Sequence, residues 1–200
     1  MNARSALFDQ LDGGFARYSV TRDWSVPHYM ATIHRGLATH FQPEDIHIAN
    51  LMGALTSINS GTTTIVDFAV QRAGESVYDG LAEWHAKAEG NCAIDYAFHQ
   101  IIGGVDEDSL KAMTYLVDNE GITSFKLFMA YPGVFYSDDG QILRAMQTAG
   151  ENGSMIMMHA ENGIAIDVLV AQALARGETD PMYHSLTRPA ELEAEATHRA

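Results

Sequence analysis

From Gly61 onward the chain repeats one pattern: a short apolar run, a break, then a segment with apolar residues at helical spacing. The strand-like runs are residues 62–68, 92–98, 123–129 and 154–158, and they begin roughly 30 residues apart, the length of one strand-plus-helix unit. They are apolar almost without alternation, which suits parallel strands buried on both faces. Between them lie the stripes Val77, Leu81, Trp84, Ala88, then Leu110, Met113, Val117, then Ile142, Ala145, Met146, Ala149. A fourth stripe, Ile164, Val168, Ala171 and Ala175, follows the last run and is closed by Gly177. Each recurs every three to four residues, as one face of a helix does. Boundary residues agree: Ser76 with Asp79 predicts a capping box, Asp106 a cap for the second helix and Ser137 one for the third, while Gly90, Gly121 and Gly153 fall just past helix ends. The fold class is therefore α/β.

Repeated βα units build either an open doubly wound sheet or a closed (β/α)8 barrel. A barrel needs eight units and typically ~250 residues, and about four clear units are present here. Residues 189–200 are rich in Ala and Glu and read as a helix still running at Ala200. The chain is thus expected to be a single fragment of a larger unit, with residues 1–60 forming an N-terminal segment and helix and residues 61–200 forming the βα units.

The stretch from Gly121 to Gly163 carries the chemistry. Lys126 sits among Phe125, Leu127, Phe128 and Met129, where an unpaired ammonium is disfavoured and the neutral amine is promoted. Tyr131 follows five residues on, and His159 opens a His-Ala-Glu-Asn-Gly run directly after the fourth strand-like segment. In barrels, reactive groups gather at strand C-terminal ends. This set resembles the dihydropyrimidinase/hydantoinase family of the amidohydrolase superfamily, and the resemblance spans residues 61–200. It implies a partial (β/α)8 TIM-type barrel of the metal-dependent hydrolase type, and it is this resemblance, not the periodicity, that decides barrel over open sheet.

The family resemblance implies further roles. Lys126 would react with carbon dioxide to give a carbamate bridging two divalent metals, usually zinc (Zn2+), and His159 would bind one of them. Tyr131 would be the catalytic residue that donates a hydrogen bond to the substrate carbonyl as it becomes an oxyanion. Glu161 or Asn162 would orient the histidine. The implied reaction is metal-dependent hydrolysis of a cyclic amide C–N bond in a small-molecule substrate such as a dihydropyrimidine, hydantoin or related imide, and family members are commonly homo-oligomers. The family also carries a His-x-His pair, which occurs nowhere among the nine histidines here, and a later histidine and aspartate expected beyond Ala200. The isolated chain is therefore expected to be inactive. Two alternatives are a non-catalytic dihydropyrimidinase-like assembly protein and a deaminase-type amidohydrolase, because residues 22–61 resemble the cytosine-deaminase and chlorohydrolase-like branch of the superfamily.

Composition removes other classes. With 46% hydrophobic and 19% charged residues the chain is globular, and a formal charge of −14 argues against nucleic acid or an anionic membrane as partner. Cys92 is the only cysteine; it excludes an internal disulfide, suits a cytoplasmic location and is expected to be a small core residue. No run resembles a signal peptide or approaches the ~20 apolar residues of a membrane span. A short helix is expected around residues 27–36. A second should open at Pro43-Glu44-Asp45, with Ile48, Met52, Leu55 and Asn59 on one face, and end before Gly61. His28, His34, His40 and His47 match no compact ligand spacing, and His85 and His99 are expected to be structural, His99 lying at a strand end. Lys126 and His159 should stand on adjacent parallel strands, on one face and at the same end.

Overall fold

The computed structural model describes residues 42–72 and 74–200. Within them two compact units are distinguished, residues 42–63 with 180–182, and residues 64–179 with 183–200. In the first, α1 (Pro43–Asn59) starts where the proline and acidic residues predict it. The Gln42 N–H donates to Asp45 Oδ2 at 2.9 Å. Ile48, Met52 and Leu55 are exposed, and the helix closes with the Thr62 N–H on the Ser57 carbonyl. The predicted helix around residues 27–36, His28, His34, His40 and the His47 side chain lie outside the described residues.

The second unit holds the repeat: β1 (Thr64–Val70), α2 (Val77–Ala88), β2 (Asp95–Ile101), α3 (Glu107–Tyr115) running into a π-helical turn (Leu116–Glu120), β3 (Ser124–Phe128), α4 (Asp139–Asn152), β4 (Met155–His159) and α5 (Gly163–Ala175). Two short helices follow, α6 (Met182–Leu186) and α7 (Ala190–Arg199). All four strands are parallel and lie in chain order, β1-β2-β3-β4. The first two start later than the apolar runs suggest. Thr62 still closes α1, and the Asn91 and Cys92 N–H groups both bond the Ala88 carbonyl, so residues through Cys92 finish α2 before β2 begins. Cys92 is only half-buried rather than a core residue.

Alternation along the strands sorts the side chains. Ala69, Phe98, Phe125 and Leu127 face the helices and pack with Leu81 of α2, Met113 of α3 and Ala145 and Ala149 of α4. The residues between them form the opposite face, where the register aligns Val70, Ile101, Lys126 and Met157 across all four strands and sets Phe128 beside His159. This face is open: Val66, Phe68 and Met155 are exposed on it. The seam between β2 and β3 is short, covering only Gln100 with Phe125 and Ile101 with Lys126, whereas β1 and β2 stay in register from Thr64 with Asp95 to Val70 with Ile101.

The helix starts follow capping chemistry, with two corrections. Ser76 accepts the Asp79 N–H at 3.1 Å, but the Asp79 carboxylate takes the Ser76 hydroxyl at 2.8 Å rather than its backbone N–H, so a single cap stands where a reciprocal box is expected; Asp106 accepts the N–H groups of Asp108 and Ser109. The third cap is Asp138, not Ser137. Gln141 stands three residues after Asp138, and the two side chains bond each other's backbone N–H at 2.8 and 3.0 Å, a reciprocal box that Ser137 cannot form with Gly140. Ser137 is buried, and its own N–H donates to the Phe128 carbonyl at 2.8 Å. Among the described residues no helix is long and apolar enough to cross a membrane.

Candidate functional site

β3 presents Lys126 to the open face because its neighbours Phe125 and Leu127, both fully buried, are anchored among the helices. Its position in an apolar strand buries part of the stem and pushes the Lys126 pKa below its ordinary value. Among the described residues no carboxylate pairs with it. Its Nζ lies over the Phe128 ring, 5.3 Å from the ring centroid.

Phe128 is the common wall of the site. Its ring stacks on the His159 imidazole at 5.7 Å and 23°, and on Phe135 at 5.0 Å. Tyr131 closes the other side, 5.1 Å from the His159 ring and 5.8 Å from Phe128. It is the only non-glycine residue with a left-handed backbone among the described residues, at φ 58°. That conformation costs an ordinary residue roughly 1–2 kcal/mol. It turns the Tyr131 carbonyl into a hub that accepts N–H groups from Val134, Phe135 and Tyr136 at 3.0, 3.1 and 3.3 Å, and these bonds hold the loop against its strain.

Every polar member of the His-Ala-Glu-Asn-Gly run has a structural account. His159 ends β4, and its Nε2 lies 2.6 Å from Glu161 Oε2. Asn162 caps α5 by accepting the Ala165 N–H at 3.1 Å and donates from Nδ2 to Glu195 at 2.9 Å. Gly163 permits backbone contact, since a Cβ there would stand 2.8 Å from Ala130 Cα and 2.9 Å from the Met129 carbonyl oxygen. Two backbone bonds lace the strand ends together: Met129 N–H to the His159 carbonyl at 2.9 Å and Gly163 N–H to the Met129 carbonyl at 3.0 Å.

Lys126 and His159 thus occupy adjacent parallel strands, on one face and toward the same end, as the βα spacing predicts. Tyr131 joins His159 directly, and Lys126 shares the Phe128 ring with both. Sequence reading passes over Phe128 and Phe135. The usable signal for Phe128 is strand alternation, which sets it on the same face as Lys126 two residues earlier. His85 is structural as expected, edge-on to Phe98 at 5.1 Å. His99 shares the open face with Lys126, nearer the start of the strands, with Nδ1 2.5 Å from Ser124 Oγ and its ring 5.0 Å from Phe68. Among the described residues no group of three or more His, Cys, Asp or Glu gathers.

Consecutive parallel βα units with polar side chains at the strand C-terminal ends are common to (β/α)8 barrels and open α/β sheets, and similarity to known proteins decides between them. No protein-family model matches the chain. It is 74% identical over 140 residues to D-hydantoinase of Streptomyces coelicolor, covering 70% of this chain and 30% of that protein. It is 49% identical over 148 residues to D-hydantoinase of Geobacillus stearothermophilus, covering 74% and 31%. The crystal structure of dihydropyrimidinase from Brevibacillus agri superposes with a TM-score of 0.67 at 47% identity, covering 70% of this chain and 30% of that one. The chain belongs to the dihydropyrimidinase/hydantoinase family, and its four units are part of the TIM-type barrel of these amidohydrolases. It spans about 30% of the length of the curated relatives it matches.

Proposed function

We propose that the protein carrying this chain hydrolyses the C–N bond of a small cyclic amide, a dihydropyrimidine, hydantoin or related imide, with divalent metal held at the open face of the sheet. The observation that carries the reading is the gathering of Lys126, Tyr131 and His159 around the Phe128 ring. Retention of Lys126 together with His159 favours a hydrolase over a non-catalytic relative.

The donor set suits a carbamate-bridged site. An unpaired, partly desolvated lysine is biased toward the neutral amine. That amine would attack carbon dioxide, form an N–C bond as one C=O π bond opens, and release one proton to leave a carbamate whose single negative charge is shared by two oxygens. Lys126 in this form and His159 through a ring nitrogen would hold the metals, which we assign as zinc. Two such metals, when bound, supply an activated hydroxide and polarise the amide carbonyl. Tyr131 would donate its hydroxyl proton in a hydrogen bond to the carbonyl oxygen as negative charge develops there, a role typically worth ~3 kcal/mol. Two protein ligands are fewer than the three or four that hold zinc firmly, so the 200-residue chain alone should bind zinc weakly. We assign the complete protein as a homo-oligomer, as the family resemblance implies, and a single half-buried thiol suits the cytoplasm.

The test is metal content after gel filtration together with ring-opening of dihydrouracil and hydantoin, in this chain and in the protein expressed from its complete reading frame. We expect substoichiometric zinc and negligible turnover in the 200-residue chain. The complete protein should show stoichiometric zinc and measurable turnover, both lost on Lys126→Ala. Two metals held tightly by the 200-residue chain, or a metal-loaded complete protein inert toward every cyclic amide tried, would overturn the reading.

A further inference from the structure

We infer that Asn152–Gly153, just before β4, is a site of spontaneous covalent modification, at which the asparagine side chain loses ammonia and becomes aspartate or isoaspartate. The chain carries two Asn-Gly pairs, Asn152–Gly153 and Asn162–Gly163. Asparagine before glycine is prone to this chemistry, because glycine has no Cβ to hinder attack by its backbone nitrogen on the preceding side chain. The fold treats the two pairs oppositely.

Asn152 is the last residue of α4, and Gly153 after it is exposed, with a left-handed backbone at φ 75°. A Cβ on Gly153 would meet nothing within 4 Å, so the turn has room to rearrange. The Asn152 amide is held from one end. Its Oδ1 accepts the Ser154 N–H at 3.0 Å and the Ser154 hydroxyl at 2.6 Å, while its Nδ2 is buried without a hydrogen-bond partner among the described residues. A buried amide nitrogen left without an acceptor is a cost that native structures rarely carry. Here it leaves the departing group unheld, and two donors stand at the oxygen where negative charge gathers during attack. The Gly153 N–H bonds the Ala149 carbonyl, so attack waits on opening of the last turn of α4, the part of a helix that frays.

Asn162–Gly163 is shielded from the same reaction. The Asn162 Nδ2 donates to Glu195, its Oδ1 caps α5, and the Gly163 N–H donates to the Met129 carbonyl at 3.0 Å. Two backbones already touch there, with Ala130 Cα only 2.8 Å from where a Gly163 Cβ would stand. Attack at this pair requires breaking both side-chain bonds and parting the backbones.

In the reaction the Gly153 nitrogen gives up its proton and forms a bond to Asn152 Cγ. The C=O π pair moves to Oδ1, and its return breaks the Cγ–Nδ2 bond, so that Nδ2 leaves as ammonia with the proton restored to it. Water then opens the cyclic imide. Cleavage at Cγ gives aspartate; cleavage at the main-chain carbonyl gives isoaspartate and puts a side-chain methylene into the backbone. Either product bears on β4. The new carboxylate falls at the C-terminal end of α4, where the helix dipole disfavours negative charge. The longer backbone displaces a connection pinned by the Ser154 N–H on the Ala149 carbonyl at 3.0 Å and the Met155 N–H on the Thr123 carbonyl at 2.9 Å. His159 stands at the other end of that strand.

The test is mass spectrometry of the 200-residue chain, held warm at mildly alkaline pH and sampled over time. Tryptic cleavage after Arg144 and Arg176 leaves both pairs in one peptide, residues 145–176, so fragmentation compares them in the same sample. In the folded chain we expect Asn152 to convert about tenfold faster than Asn162 or more, since a helix end opens more readily than a laced strand end. In urea the two should convert at similar rates, which ties the difference to the fold. Ser154→Ala removes one donor from Oδ1 and should slow conversion at Asn152 about three- to tenfold, less than an enclosed oxyanion site loses. The acidic form, separated by ion exchange, should melt roughly 1–4 °C below its parent. Conversion at Asn162 as fast as at Asn152, no conversion at Asn152, a preference that persists in urea, or an unslowed Ser154→Ala would each overturn the inference. An acidic form that melts with its parent would overturn the effect on β4. The wild-type time course decides the matter even if the variant fails to fold.

Discussion

Gly163→Ala tests whether the approach of two backbones, rather than any single side chain, assembles the site. The added Cβ would sit 2.8 Å from Ala130 Cα, 2.9 Å from the Met129 oxygen and 3.1 Å from the Ala130 carbonyl carbon, against 3.4 Å or more for an ordinary contact. All three are backbone atoms, so no rotamer change relieves the clash. The β3 loop and the start of α5 must part by about half an ångström, which strains the Gly163-to-Met129 bond at 3.0 Å. Overpacking of this kind costs about 1–3 kcal/mol, and reduced freedom of the unfolded chain returns ~0.4–1 kcal/mol. A net loss of about 1–2 kcal/mol should lower Tm by roughly 2–8 °C for a chain of this size. The control is Gly150→Ala within α4, where a Cβ meets nothing within 4 Å. There the same chemical change should raise stability by ~0.5–1 kcal/mol, because glycine is a poor interior helix residue. Thermal unfolding followed by circular dichroism on both variants gives the comparison. Equal or greater stability in Gly163→Ala would show that the loop yields freely, and the account of the glycine in the His-Ala-Glu-Asn-Gly run would fall.

Three further outcomes follow from the same structure. Because burial lowers the Lys126 pKa, the unfolded chain keeps a proton that the native chain gives up between the lowered value and the ordinary ~10.4. Lys126→Met should therefore raise Tm of the metal-free chain at pH 7, and the advantage over wild type should shrink as pH climbs through that window; a Met variant less stable at pH 7 would contradict it. Tyr131→Phe keeps the rings that flank His159 and removes only the hydroxyl, so Tm should hold while kcat of the complete protein drops about 100-fold, the rate equivalent of one oxyanion donor; unchanged kcat would remove Tyr131 from the reaction. The open face and the exposed edges of β1 and β4 should drive self-association of the 200-residue chain, and a stable monomer by sedimentation velocity at micromolar concentration would refute that.

Much of this was legible in the residues. The 30-residue rhythm yields the parallel order of the strands, and Ser76, Asp106, Gly121 and Gly153 mark element ends because capping is local chemistry. Where two caps compete, as at Ser137 and Asp138, the deciding partner is Gln141, and the pair must be read together. The starts of β1 and β2 are harder, because Thr62 and Cys92 have strand-forming character but their N–H groups close the preceding helices. Lys126, Tyr131 and His159 stand out as polar groups in apolar settings or at strand ends. Phe128 and Phe135 do not, because an aromatic residue in an apolar run has the same sequence signature whether it lies in a core or walls a site. The left-handed backbone of Tyr131 carries no sequence signal either, since tyrosine is not a residue that favours it.

The short seam between β2 and β3 has a mechanical consequence. Lys126, Phe128, Tyr131 and His159 all belong to β3, β4 and the turns that follow them, and the bonds lacing those strand ends lie on that side of the seam. Between the strands themselves the pairing is thinnest at Gln100 and Phe125, where the Ile102 N–H on the Lys126 carbonyl and the His99–Ser124 contact add to the register, and the junction is tied further by Gln141 Nε2 on the Val105 carbonyl, by the Arg144–Glu107 ion pair and by the core shared by α3 and α4. The side chains gathered around Phe128 are thus held on one side of the thinnest strand pairing, while the core beneath the sheet joins both sides.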